Sequence, residues 1–133
     1  MEEIGVLFNI CYGGFGFSNE FKEEYKKRTG KEPDYNRYSF ERHDEEAVKL
    51  FLEKGSDWSS AEYAKIDILY IPKGMIKYYR VSEYDGNERV ILHIHKAIVD
   101  KTKEYIGNPT PEKLEWLKQE IDIIESHTIR YDD

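Results

Sequence analysis

Between Cys11 and Ser18 the chain gathers a thiol, aromatic rings, glycines and a hydroxyl: Cys11, Tyr12, Gly13, Gly14, Phe15, Gly16, Phe17 and Ser18. Three of the nine glycines fall within four positions, after an apolar run from Ile4 to Ile10 and before a segment of helical spacing. A strand, a glycine-rich turn and a helix N-terminus in that order aim several backbone N–H groups at one place, with the helix dipole behind them. That arrangement suits capture of an anionic group such as phosphate, with Tyr12 or Phe15 free to stack on a base. The spacing is neither the dinucleotide fingerprint nor the Walker loop. No Lys or Arg lies between Met1 and Phe21. The balancing cations must therefore come from the later polar connection, from Arg37, Arg42 and His43. The same glycines also suit a tight strand-to-helix corner with aromatic rings beneath it, because glycine takes positive φ at little cost.

A second chemistry is nucleophilic. Cys11 stands near a helix N-terminus, where a thiolate is favoured, and His43 beside Asp44 could act as base and orienter. That combination would make a small hydrolase or transferase. Asp44 is also explained as a helix cap, and Cys11 as a small buried residue. His93 and His95 lie two apart on an expected strand, hence on one face, but nothing completes a ligand set, and no metal or cofactor is expected. Glu83 and Glu88 flank an expected hairpin turn and could form an acid–base pair. Noncatalytic binding is the favoured reading.

The elements that must position these groups fit one domain of 133 residues. A strand covers Ile4 to Ile10. A first helix runs from Asn19 to Thr29, capped by Ser18 and stopped by Gly30, with Phe21 and Tyr25 inward. Lys31 to Glu41 is a connection with Pro33, Asp34 and Asn36 as turn formers, or a short strand over Tyr38 to Glu41. A second helix covers Glu45 to Lys54, capped by Asp44, with Val48, Phe51 and Leu52 on its stripe. Ser56 to Ser60 is a polar loop carrying Trp58. A strand from Ala64 to Ile71 precedes a hairpin of Ile76–Tyr84 and Glu88–His95 around Asp85-Gly86-Asn87. A third helix covers Lys96 to Tyr105. A fourth starts at Thr110 and Pro111, with Leu114, Leu117, Ile121 and Ile124 on one face. The class is α+β: a small antiparallel meander sheet with a central hairpin, packed by three to four helices.

Net charge is −7 and the longest basic run is Lys26-Lys27-Arg28, which argues against nonspecific nucleic-acid binding. No stretch has the apolar length of a membrane span. One cysteine and an acidic start, Met1-Glu2-Glu3, fit a reducing cytoplasmic setting. Eleven tyrosines suit half-buried edges, grooves or a protein-interaction surface. Trp116, Ile123 and Ile129 fall off the stripe of the last helix, so a homodimer is expected to cover them.

The set Tyr12-Gly13-Gly14-Phe15-x-x-Ser18, Arg42-His43-Asp44, Ile71-Pro72-x-Gly74 and Tyr84-Asp85-Gly86-x-Glu88 resembles a group of small uncharacterised proteins of bacteriophages and large DNA viruses. The resemblance covers Ile4 to His95. It implies a viral setting in the host cytoplasm, where a small protein with a ligand pocket would serve counter-defence by sequestering a nucleotide immune signal.

Overall fold

Ile4, Val6, Leu7 and Phe8 give the first segment its extended, apolar character, and β1 spans Glu3–Asn9. A computed structural model of the chain describes residues 2–33 and 40–127, the last four of these by backbone alone. Arg37, the turn formers Asp34 and Asn36, the strand alternative at Tyr38, and Ile129 lie outside the described residues, as do the side chains of Ile124 and His127.

Helix α1 occupies Asn19–Thr29, and its ends follow from its residues. The Ser18 hydroxyl accepts from Phe21 N, basic residues fill the last turn, and Gly30 takes φ 74° to end it. Helix α2, Glu45–Lys54, begins where the Asp44 carboxylate accepts from Ala47 N. Its buried stripe is Ala47, Leu50 and Phe51, one turn apart, while Leu52 is 56% exposed. The expected inward place of Leu52 is thus corrected: Leu50 shares the helical face of Ala47, and Leu52 does not. A one-turn helix α3, Ser56–Ser59, replaces the expected polar loop.

The remaining strands are β2 (Ile66–Pro72), β3 (Tyr79–Tyr84) and β4 (Asn87–Leu92). They form two antiparallel two-stranded sheets, β1 with β2 and β3 with β4. The β3–β4 turn is Asp85-Gly86, with φ of 51° and 87°, the doubly left-handed turn that matches strand twist. A 3-10 helix, Lys73–Tyr78, precedes β3, so Ile76 to Tyr78 belong to it and not to the hairpin. Helix α4, Ile94–Gly107, starts immediately after β4, and α5 is Pro111–His127. Mixed helices and small antiparallel sheets make this an α+β fold.

Contacts gather into two compact units. One contains the described parts of Ile4–Tyr70 with Val81–Val90; the other the described parts of Met1–Glu3, Ile71–Arg80 and Ile91–Asp133. The first is cored by Leu7, Phe15, Phe17, Phe21, Tyr25, Ala47, Leu50, Phe51 and Ile66. Phe17 stacks on Phe21 at 3.9 Å, and Phe15 meets Phe17 edge-on at 5.0 Å. Burying a ring such as Phe21 stabilises by about 1.5–3 kcal/mol. The second unit buries Met75, Leu92, Ala97 and Leu117. There the Lys101 ammonium lies 4.4 Å from the Trp116 ring centre and 3.7 Å from Glu120 Oε2. Among the described residues no helix is long and apolar enough to cross a membrane.

Candidate functional site

Arg42 precedes the α2 cap by two residues, and its backbone carbonyl accepts from Leu7 N of β1. That bond turns the side chain inward. Nη1 and Nη2 donate to the two oxygens of Glu88 at 2.7 and 2.9 Å, with both side chains almost wholly out of water. The guanidinium carbon lies 3.7 Å from the centre of the Phe15 ring. A planar fork laid on a ring and paired bidentately uses the geometry of arginine in full. Glu88 Oε1 also accepts from Asn9 N at 2.8 Å. The Asn9 amide, fully buried, donates to Cys11 O and Gly86 O and accepts from Lys65 N. One polar network thereby ties the end of β1, the hairpin turn and the segment before β2. Arg42 was expected to face a ligand; here its charge is matched by Glu88 inside the unit.

The glycine stretch is a closely packed corner. A Cβ at Gly13 would run into the carbonyl and side chain of Tyr63, and one at Gly86 into Gly14 N and Tyr12 O. Phe15 and Phe17 are buried beneath. Gly14 has φ 91°, and the Gly16 carbonyl accepts from Ala61 N. The Ser18 hydroxyl both accepts from Phe21 N and donates to Trp58 O at 2.7 Å. Tyr12, before them, has 65% of its surface exposed.

His43 Nε2 lies 3.1 Å from Glu41 Oε1. The Cys11 thiol donates to Tyr63 O at 2.8 Å and lies 3.5 Å from Asn9 Oδ1. Neither partner of the thiol is an imidazole. β4 ends at Leu92 and His95 falls in α4, so the pair His93 and His95 does not share a strand face. Glu83 and Glu88 also part company: Glu88 is buried on Arg42, while exposed Glu83 accepts from Gly86 N at 2.8 Å.

Beside the hairpin lies an open cleft of about 340 Å³, lined by Tyr12, Ser82, Glu83, Tyr84, Asn87, Glu88 and Arg89. Its volume falls at the small end of the roughly 300–1,000 Å³ range of ligand clefts. Tyr84 is 79% exposed, which sets a second bare ring on the cleft beside Tyr12. Arg89 brings a guanidinium, and Ser82 and Asn87 bring neutral polar groups. Of the described residues expected to bind, Tyr12 alone is in this lining. Sequence reasoning passed over Ser82, Tyr84, Asn87 and Arg89 because the Asp-Gly turn already accounted for the segment. The available signal was Tyr84 itself, a large ring beside a polar turn. Comparison with known protein families, curated proteins and solved structures yields no match to this chain.

Proposed function

We propose that the protein binds a small molecule of nucleotide type, carrying a planar ring and an anionic group, without altering it. The observation that supports this most is the cleft with two bare tyrosine rings and an arginine on its lining. Aromatic faces receive a base, and a guanidinium receives a phosphate oxygen. The buried Arg42–Glu88–Asn9 network favours binding by keeping the hairpin and Tyr12 in place before the ligand arrives. The resemblance to small viral proteins adds the role: sequestering a nucleotide signal of the host as counter-defence. The partners of Cys11 give no support to a Cys–His enzyme.

Calorimetry against a nucleotide panel tests the reading. Tyr84→Ala and Tyr12→Ala, both at exposed rings, should each weaken binding about tenfold or more, given roughly 1–3 kcal/mol per base–aromatic stack, with the melting temperature unchanged. Ligand recovered chemically altered would replace the binding protein with an enzyme. Self-association through α5 belongs to the same proposal, supported by the 37% of Trp116 that Lys101 and its own unit leave open.

A further inference from the structure

The sequence holds a single Asp-Gly pair, and the fold sets it at the tip of the β3–β4 hairpin. Such a pair carries its own chemistry, because glycine has no side chain to keep its nitrogen from the aspartyl carboxyl. When Gly86 N closes on Asp85 Cγ, an N–C bond forms and a C–O bond breaks. The amide hydrogen and the carboxyl hydroxyl leave as water, and a cyclic succinimide remains. Water then reopens the ring. Cleavage between Gly86 N and the Asp85 main-chain carbonyl carbon routes the chain through the side chain as isoaspartate. The Asp85 carboxyl is exposed, so the water this needs is at hand.

The attacking atom is held. Gly86 N donates to Glu83 Oε2 at 2.8 Å. The nitrogen becomes a nucleophile only by giving up that proton. An adjacent carboxylate both binds the proton and repels the anion left by its loss. The same bond pins the peptide plane between Asp85 and Gly86, whose φ of 51° and 87° set the turn in one conformation. We propose that Asp85 is a site of spontaneous isomerisation and that Glu83 guards it. What Glu83 protects is the network beneath the turn. Gly86 O accepts from Asn9 Nδ2 at 2.7 Å, and a Cβ on Gly86 would collide with Gly14 N and Tyr12 O. Isoaspartate adds a carbon to the main chain where there is no room for it. The displaced Gly86 then leaves the fully buried Asn9 amide short of an acceptor.

The test is incubation of the full chain at neutral pH and physiological temperature, with isoaspartate at Asp85 counted by peptide mapping with electron-transfer fragmentation. The folded protein should form it several-fold more slowly than the chain kept unfolded in urea. Glu83→Ala, folded, should form it several-fold faster than the unsubstituted protein. Glu83→Gln keeps an acceptor for Gly86 N, loses the charge, and should fall between them. Isomerised protein, separated chromatographically, should melt below the unmodified form. A rate in Glu83→Ala equal to or below that of the unsubstituted protein would overturn the guard. Where Glu83→Ala also melts lower, Glu83→Gln decides alone, and an unchanged rate there would overturn it.

Discussion

The Arg42–Glu88 pair has to be weighed as a buried ion pair, whose worth lies less in net attraction than in the cost of breaking it. Arg42→Ala leaves the buried Glu88 carboxylate without its cation, only the Asn9 N–H still donating to it, and strips the face of Phe15. The expected loss is about 3–5 kcal/mol in urea denaturation. Arg42→Met with Glu88→Leu should recover much of it, since paired apolar replacement leaves no orphan charge. Tyr25 gives a pH-dependent counterpart. Its hydroxyl donates to Asp44 Oδ2 at 3.0 Å, and burial, followed by that bond, pushes its pKa from 10.0 up to about 12. A folded value above the unfolded one means the stabilisation is complete below about pH 10 and declines as pH rises toward 12. Alkaline denaturation should show that decline, and Tyr25→Phe should flatten it. Arg42 and Glu88 were each visible in the sequence, yet they lie 46 positions apart, and nothing local tells a guanidinium bound for the core from one on the surface.

Elements fixed by their own ends were the most legible. Ser18, Asp44, Gly30 and Gly55 delimit α1 and α2 as their chemistry requires, and Asp85-Gly86 delimits the hairpin. Less legible were elements whose bounds depend on tertiary packing. Lys73–Tyr78 forms a 3-10 helix and Ile94 already belongs to α4, although both segments carry the β-branched or aromatic residues of a strand. Two glycines with similar φ separate conformation from close approach. Gly30 has φ 74° and nothing within 4 Å of an added Cβ, so Gly30→Ala should cost only the left-handed penalty, about 1–2 kcal/mol. Gly86, at φ 87°, adds a collision with Gly14 N and Tyr12 O. Gly86→Ala should cost roughly 1–3 kcal/mol more than that, and it should also weaken nucleotide binding because the collision displaces Tyr12. Parallel urea titrations of the two variants decide this. The glycine stretch itself was half legible: its corner role followed from the residue types, whereas the cleft on which Tyr12 opens is completed by β3 and β4, some seventy residues away in the chain.

At the scale of the whole molecule, self-association through α5 is the prediction to settle first. Sedimentation velocity at micromolar concentration should give a dimer that Trp116→Glu dissociates; a 15.8 kDa particle in the unsubstituted protein would dismiss it. Helix α5 could be placed from Thr110 and Pro111 alone, but the ammonium of Lys101 over the Trp116 ring is a contact between helices that no spacing announces. The two tryptophans also happen to divide between the compact units, Trp58 in one and Trp116 in the other. The chain therefore carries one intrinsic fluorophore per unit. Trp116→Phe leaves emission from Trp58 alone, and Trp58→Phe leaves that of Trp116. Superimposable urea-unfolding curves from the two single-tryptophan proteins would mean that the units unfold as one cooperative body. Curves offset along the denaturant axis would assign each unit its own stability, read optically and without any label.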